Sequence, residues 1–283
     1  MRKIAWVTDS TTYMTQALKE HPDVYVVPLS VIFGEEIYED GITITQEEIY
    51  EQMRSGKAAT TSQPPVGVFA ALFENLKAQY EEVVLLHVSD KLSGTLSSSV
   101  QAADMTGITY HVIDSKVLTM GITFLLEEGL HLQQQGKSIE EIIARLHAII
   151  PTLENYILIG NLQQLHRGGR LTNAQFVLGT LLNIKPILQI KEGIIQVYEK
   201  VRSEKKAVKL VMEQCKAAIT AHDVRKLAII HGNRPEDAIA WKEELLRVKP
   251  DLRVEIVPLT SVLSVHAGEG TIAAMWYNTA LEG

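Results

Sequence analysis

Apolar and polar positions alternate along this chain in a repeating scheme of short apolar runs and longer amphipathic stretches. In the first half, residues 3–8, 24–33, 82–88 and 110–113 have the length and β-branched character of buried strands. Between them, Phe69, Leu72, Phe73 and Leu76 recur at helical spacing, as do Ile139, Ile142, Ile143, Leu146 and Ile150 before Pro151. Residues 117–132 read as a further helix. Two capping boxes mark helix starts: Thr45 with Glu48, ahead of an inward-facing Ile49 and Met53, and Ser138 with Glu141. Strands that alternate with helices predict a mostly parallel sheet covered on both faces.

The second half opens with a strand at 156–160 and then the stretch NLQQLHRGGRLTNAQFVLGTLLNIKPIL at 161–188. After its Gly168-Gly169 turn, Leu171, Phe176, Val177, Leu181 and Leu182 give a helical apolar face, and 184–190 reads as a buried strand interrupted by Pro186. Gly193 separates this strand from another at 194–201, which predicts an antiparallel hairpin with Arg202 just beyond it. A helix at 204–221, a strand at 227–231, a helix around 239–246 and a strand at 252–257 follow. At 283 residues the chain exceeds the usual domain of about 100–150, so two domains are expected, at 1–158 and 159–283.

Composition narrows the class. No apolar run approaches the roughly 18–20 residues of a membrane span, and Met1-Arg2-Lys3 leads into a strand instead of a signal-peptide core, so a soluble cytoplasmic protein is expected. The single Cys215, on a helical pattern, excludes an intrachain disulfide and a cysteine metal cluster, leaving a buried spectator thiol. A net charge of −7 argues against nucleic-acid binding. Residues 1–160 carry 10 basic against 21 acidic side chains, and residues 161–283 carry 17 against 13. A basic half facing an acidic one would focus an anion between them, although solvated helix faces give the same count.

Candidate chemistry gathers at polar loops. Asp9-Ser10-Thr11-Thr12, Thr60-Thr61-Ser62-Gln63-Pro64-Pro65, Ser93-Gly94-Thr95 and Asp114-Ser115 each follow a strand or precede a helix. There, hydroxyls and first-turn amides can hold a carboxylate or phosphate, and the same letters fit plain helix caps. Gly168 and Gly169 between Arg167 and Arg170 fit an anion-binding turn or a helix C-cap. His266 before Ala267-Gly268-Glu269-Gly270 fits an anion or proton-transfer site, or a structural histidine. Gly-x-Ser-x-Gly is absent, which argues against a catalytic serine, and there is no Walker loop or kinase signature.

Taken in order, these motifs resemble the DegV family of two-domain fatty-acid-binding proteins, the lipid-carrying subunits of bacterial fatty acid kinase. The residues that carry the resemblance are Asp9-Ser10-Thr11, Thr61-Ser62-Gln63-Pro64, Leu92-Ser93-Gly94-Thr95, Asp114-Ser115, Gly168-Gly169-Arg170, Asn183-Ile184-Lys185-Pro186, Arg202 and His266-Ala267-Gly268-Glu269-Gly270. They span essentially the whole chain. The implied fold is α/β, with a mostly parallel, Rossmann-like first domain and a second α/β domain whose sheet is mixed or antiparallel and which holds an acyl tunnel. The resemblance implies a long-chain fatty acid with its carboxylate at the interdomain cleft, on the hydroxyls of Thr61 and Ser93, with Ser62 and Gly94 beside them. Arg170, Arg202 and His266 then support the entrance, where a partner ATP-dependent kinase subunit forms the acyl phosphate for phospholipid synthesis. The chain itself is expected to be a carrier and not an enzyme, without cofactor or metal, touching a membrane surface transiently for ligand exchange.

Two departures stand out. The family pattern Ser-Gln-Pro-Ser-Pro is here Ser62-Gln63-Pro64-Pro65-Val66, and Ala267 and Glu269 replace the usual Thr and Pro. The first could shift the loop, and the second sets a carboxylate near the expected phosphate. Burying about 14 methylenes at ~0.8 kcal/mol each contributes on the order of 10 kcal/mol before ordering costs, provided the carboxylate meets donors. A stand-alone phosphotransferase or hydrolase acting on a small phosphorylated substrate is the competing reading.

Overall fold

The computed structural model describes residues 3–172 and 184–278, which divide into two compact units. The first holds residues 3–150 with Glu192–Ile194 and Thr260–Val262; the second holds 151–172, 184–191, Ile195–Leu259 and 263–278. Phe176, Val177, Leu181, Leu182 and Asn183, named above, lie outside the described residues.

The first unit carries β1 (Ile4–Asp9), β2 (Val24–Val27), β3 (Ser30–Phe33), β4 (Glu36–Glu39), β5 (Ala59–Ser62), β6 (Glu82–His87) and β7 (Tyr110–Asp114). Four of them form a parallel sheet in the order β2-β1-β6-β7. Because side chains alternate across a strand, Ala5, Val7, Val83 and Leu85 share one face, closed by Phe69, Phe73 and Leu76 of helix Val66–Leu76 and Ala102 and Ala103 of helix Thr95–Thr106. Trp6 takes the other face, under helix Met120–Gln134. Its indole donates to Gln133 Oε1 at 2.7 Å, and Gly129 lies so near that a Cβ there would stand 2.1 Å from the ring. The chain leaves β1 towards β2 and leaves β6 towards β7, so the winding reverses between β1 and β6. In open α/β sheets such a reversal leaves a crevice at the carboxyl ends of the strands.

Three local readings change. The run 24–33 is two strands, because Pro28 cannot extend the ladder: β2 stays in the parallel sheet, while β3 pairs antiparallel with β4 and β5. Thr60-Thr61-Ser62, read as a loop, belongs to β5, with Thr61 opposite Val31 and Ser62 opposite Ser30. Its polar letters carry no apolar alternation, so pairing with β3 makes it a strand. The third helix starts at Met120 and not at 117, since Lys116 and Thr119 hold φ of 58° and 47°. Both capping boxes form as expected, at Thr45 with Glu48 and at Ser138 with Glu141.

The second unit carries β8 (Leu153–Leu158), β9 (Lys185–Lys191), β10 (Ile194–Val201), β11 (Lys226–His231), β12 (Arg253–Pro258) and β13 (Ile272–Tyr277) in one sheet, ordered β10-β9-β8-β13-β11-β12. The sheet is mixed: β8 runs antiparallel to β9 and β13, β13 antiparallel to β11, and β11 parallel to β12. Glu192 and Gly193 join β9 to β10 with φ of 52° and 82°, the two positive values of a type I′ hairpin turn. Central β13 was not anticipated, although Ile272-Ala273-Ala274-Met275-Trp276 has the unbroken apolar character of a strand covered on both faces. Helices Glu204–Ala221 and Pro235–Val248 set Val211, Met212, Cys215, Trp241 and Leu245 against Leu227, Ile229 and Trp276. Cys215 is fully buried, which pushes its thiol up to about 12. No helix among the described residues is long and apolar enough to cross a membrane.

Asp40, directly after β4, is 4% exposed and accepts from the Val262 amide at 3.0 Å. Burial raises its pKa to about 6, against the pull of hydrogen bonds from Ser10, Val262 and Ser261. A carboxyl raised in the folded state adds stability below its unfolded value of about 3.9, and that stability is lost as pH rises through 6. Denaturant titrations of wild type and Asp40→Asn between pH 4 and pH 7 should therefore diverge. Wild type should lose up to roughly 3 kcal/mol relative to the variant as pH rises, and parallel curves would remove Asp40 as the source.

Candidate functional site

Within the first unit the structure brings the two hydroxyl stretches together through a residue that the sequence reading carried only inside its Thr61-Ser62-Gln63-Pro64 motif. Gln63, one position past β5, donates from Nε2 to Ser98 Oγ at 3.5 Å, and its amide lies over Gly94. A Cβ on Gly94 would stand 2.6 Å from Gln63 Nε2, so glycine is what lets the two segments approach. Gly94 is the N-cap of helix Thr95–Thr106 and supplies no side-chain cap. The hydroxyl at this helix start is that of Ser93, which accepts from the Thr95 amide at 3.3 Å and shares a 2.8 Å bond with Thr95 Oγ1. Thr61 and Ser93 are both half-buried, whereas Ser62 is exposed and donates to the Gln63 carbonyl at 3.2 Å. The Thr60–Ser62 hydroxyls do not cap helix Val66–Leu76, whose N-cap is Pro65 with no side-chain bond. This corrects the helix-cap alternative for Thr60–Ser62, while Ser93 stands at a helix N-terminus with partial positive charge.

Beneath this edge lies a polar group buried in the sheet. The Asp9 carboxylate, fully buried, accepts from the Val88 amide at 2.9 Å, the Thr11 amide at 3.0 Å, Thr11 Oγ1 at 2.6 Å and His87 Nδ1 at 3.1 Å. Burial pushes the carboxyl up, but His87, Thr11 and Val88 outweigh it and hold the pKa below the usual range. An ionised Asp9 only accepts, so Nδ1 carries the proton and Nε2 faces Ser99 Oγ at 3.0 Å. Asp9-Ser10-Thr11 therefore braces the sheet and caps nothing; the first helix, Gln16–Lys19, takes Thr15 as its cap.

In the second unit the glycine turn has a different role from the anion cradle considered above. Helix Leu162–Arg167 is capped by Asn161, whose Oδ1 accepts from Gln163 and Gln164. It ends with Gly169 at φ 75°, the Gly169 amide on His166 O at 2.9 Å and the Arg170 amide on Leu165 O at 3.2 Å. That is a Schellman closure, so the C-cap alternative holds and these amides are committed within the protein. Arg167 is exposed, while the half-buried Arg170 folds its guanidinium back onto the Gly168 carbonyl. Gly168 in turn faces His266, at the end of helix Ser261–Ala267, and a Cβ there would stand 2.5 Å from Nδ1. Burial lowers the pKa of His266 to about 4, with the Arg170 charge adding to the effect, so the imidazole is neutral at pH 7. The Arg170 charge thus reaches His266, whereas Arg202, exposed immediately after β10, does not contribute to that shift.

The loop after His266 is equally committed. Gly268 donates to Ser264 O at 2.9 Å and Gly270 to Gly232 O at 2.7 Å, while Thr271 Oγ1 accepts from the Gly160 amide at 2.8 Å. Glu269, a departure from the family pattern, accepts from Asn233 Nδ2 at 2.6 Å and is held by that amide. His87, Ser98 and Ser99 were missed because each is unremarkable alone, and only the packing of helix Thr95–Thr106 brings the end of β6 and the residue after β5 to one turn. Among the described residues, no group of three or more His, Cys, Asp and Glu side chains is placed to hold a metal ion.

Comparison with known proteins agrees with this architecture. The model of the family described as "Uncharacterised protein, DegV family" matches residues 3–279. A DegV domain-containing protein of Halalkalibacterium halodurans is 38% identical over 280 residues, covering 98% of this chain and 99% of its own. The crystal structure of DegV from Bacillus subtilis, described as a fatty acid binding protein, superposes with a TM-score of 0.89 at 34% identity, covering 98% of this chain and all of that one. A DegV family protein from Thermus thermophilus, described by its fatty acid binding, gives a TM-score of 0.89 at 32% identity with the same coverage. The mixed α/β fold, its parallel and mixed sheets, and the family match over nearly the whole length lead to one conclusion: the chain belongs to the DegV family.

Proposed function

We propose that this chain binds a long-chain fatty acid, holds its carboxylate on Thr61, Ser62, Ser93 and Gly94, and presents it to a partner ATP-dependent kinase that forms the acyl phosphate. The observation that supports the reading is the Gln63 clasp, which joins the residue after β5 to the Gly94 helix start. Hydroxyl donors and helix-terminal amides are the groups that offset the cost of desolvating a carboxylate, which is the condition for burying the acyl chain at all. The relatives from Bacillus subtilis and Thermus thermophilus, described as binding fatty acids, support the ligand class. Arg170, Arg202 and His266 serve the transfer step in this reading. Arg170 supplies a cation next to a neutral imidazole that can donate or accept a hydrogen bond without adding charge. The chain is then a carrier, and the ATP chemistry lies with its partner. The glycine-loop amides at Gly169, Arg170, Gly268 and Gly270 are spent on internal carbonyls, which counts against a stand-alone enzyme with a phosphate cradle there.

Titration of delipidated protein with palmitate is the direct test. Thr61→Ala and Ser93→Ala should each lower the affinity about tenfold or more, the cost of one lost hydrogen bond to a charged group, and unchanged affinity in both would reject this head-group site. The second-unit residues should separate binding from transfer. Arg170→Ala, Arg202→Ala and His266→Ala should slow acyl-phosphate formation with the kinase at least tenfold while palmitate affinity changes less than threefold, about 0.6 kcal/mol. Gly168→Ala, whose new methyl must displace the His266 ring, should reproduce the His266→Ala defect. Equal losses of binding and transfer would overturn this division of labour.

A further inference from the structure

The chain of hydrogen bonds Asp9, His87 and Ser99 has the acid, imidazole and hydroxyl of a hydrolytic triad, yet it cannot act as one. All three residues are 0% exposed, and Ser99 sits inside helix Thr95–Thr106, where no substrate reaches its Oγ. What the three residues do share is placement. Asp9 ends β1 and His87 ends β6, the two strands at which the winding of the parallel sheet reverses. Ser99 lies in the second turn of the helix that Gly94 caps and Ser93 precedes.

Asp9 accepts the His87 Nδ1 proton at 3.1 Å, and the other ring nitrogen, Nε2, shares a 3.0 Å hydrogen bond with the Ser99 hydroxyl. The ring itself is wedged edge-on against Phe69, with centroids 5.4 Å apart and planes at 81°. One residue earlier, Ser98 takes the Gln63 amide. Adjacent helix positions point about 100° apart, so Ser98 and Ser99 pin the same turn from two directions. A serine at this buried helical position is a poorer choice than alanine unless its hydroxyl is used.

We infer that the Asp9–His87–Ser99 chain is a positioning device that fixes the rotation of helix Thr95–Thr106 about its own axis and so aims Ser93 and Gly94 at a ligand carboxylate. This rests on the head-group reading given above. His87 and Ser99 are positioning residues that act through the helix and touch no ligand.

The test compares two ligands that differ only at the head. Tetradecanoate and 1-tetradecanol are each used to displace a fluorescent fatty acid from the full-length, delipidated chain, in wild type, Ser99→Ala and Ser99→Cys. Alanine is the better helix former, so Ser99→Ala retains the fold, which its circular dichroism and melting temperature will verify. The expected result is a loss of tenfold or more in tetradecanoate affinity for Ser99→Ala, less than twofold change for the alcohol, and partial recovery in Ser99→Cys through a weak hydrogen bond of its thiol to His87. A Ser99→Ala protein that keeps the wild-type ratio of acid to alcohol affinity overturns the positioning role, as does an equal loss for both ligands. If wild type binds both chains without preferring the acid, the head-group reading itself falls and takes this inference with it.

Discussion

A fully buried carboxylate is an expensive thing to place at the end of a central strand, and Asp9 is tolerable only because four donors converge on it. Those donors come from two places in the chain. Thr11 closes the loop after β1, and His87 with the Val88 amide closes the end of β6. The charge therefore holds together the two strands between which the winding of the sheet reverses, at the edge where loops open. Removing any one donor would leave the buried charge less fully paired, so the arrangement of the loops above it is constrained as a set.

The glycines of the polar loops divide by what they do for the backbone around them. Two glycine turns with the look of anion cradles are closures: one ends helix Leu162–Arg167, and the other knits residues 268–271 to Gly160 and Gly232. Their amides face carbonyls of the same unit. The Ser93-Gly94 start is different, because glycine caps that helix without a side chain and the nearest hydroxyl belongs to a residue only half-buried. Glycine thus has opposite meanings at the two sites. At Gly169 it permits a left-handed φ, while at Gly94 it gives up volume so that Gln63 can approach.

Much of the fold was legible in the sequence for simple physical reasons. The capping boxes at Thr45 and Ser138, the helix Glu204–Ala221 and the turn at Gly193 are local signals, decided within a few residues. What escaped depended on partners far away in the chain. Ala59–Ser62 is a strand only because β3 lies beside it, and β13 is central only because β8 and β11 flank it. The site divides in the same way. Hydroxyls and glycines could be nominated from the letters, but the neutral state of His266 and the Gln63 clasp follow from burial and proximity, which no spacing encodes.

The hairpin tip at Glu192-Gly193 has a bearing on how the protein is made. Ser89 Oγ donates to the Gly193 carbonyl at 2.9 Å and Lys91 Nζ to the Glu192 carbonyl at 3.1 Å, contacts that join positions about a hundred residues apart within the first unit. The Val262 amide on Asp40 spans 222. Loop closures of this length raise the contact order and delay completion of the unit until distant chain has arrived. On the ribosome, the parallel sheet can assemble from the first 150 residues, but the first unit gains its last partners only once residue 262 has emerged. Its folding is therefore tied to synthesis of nearly the whole chain.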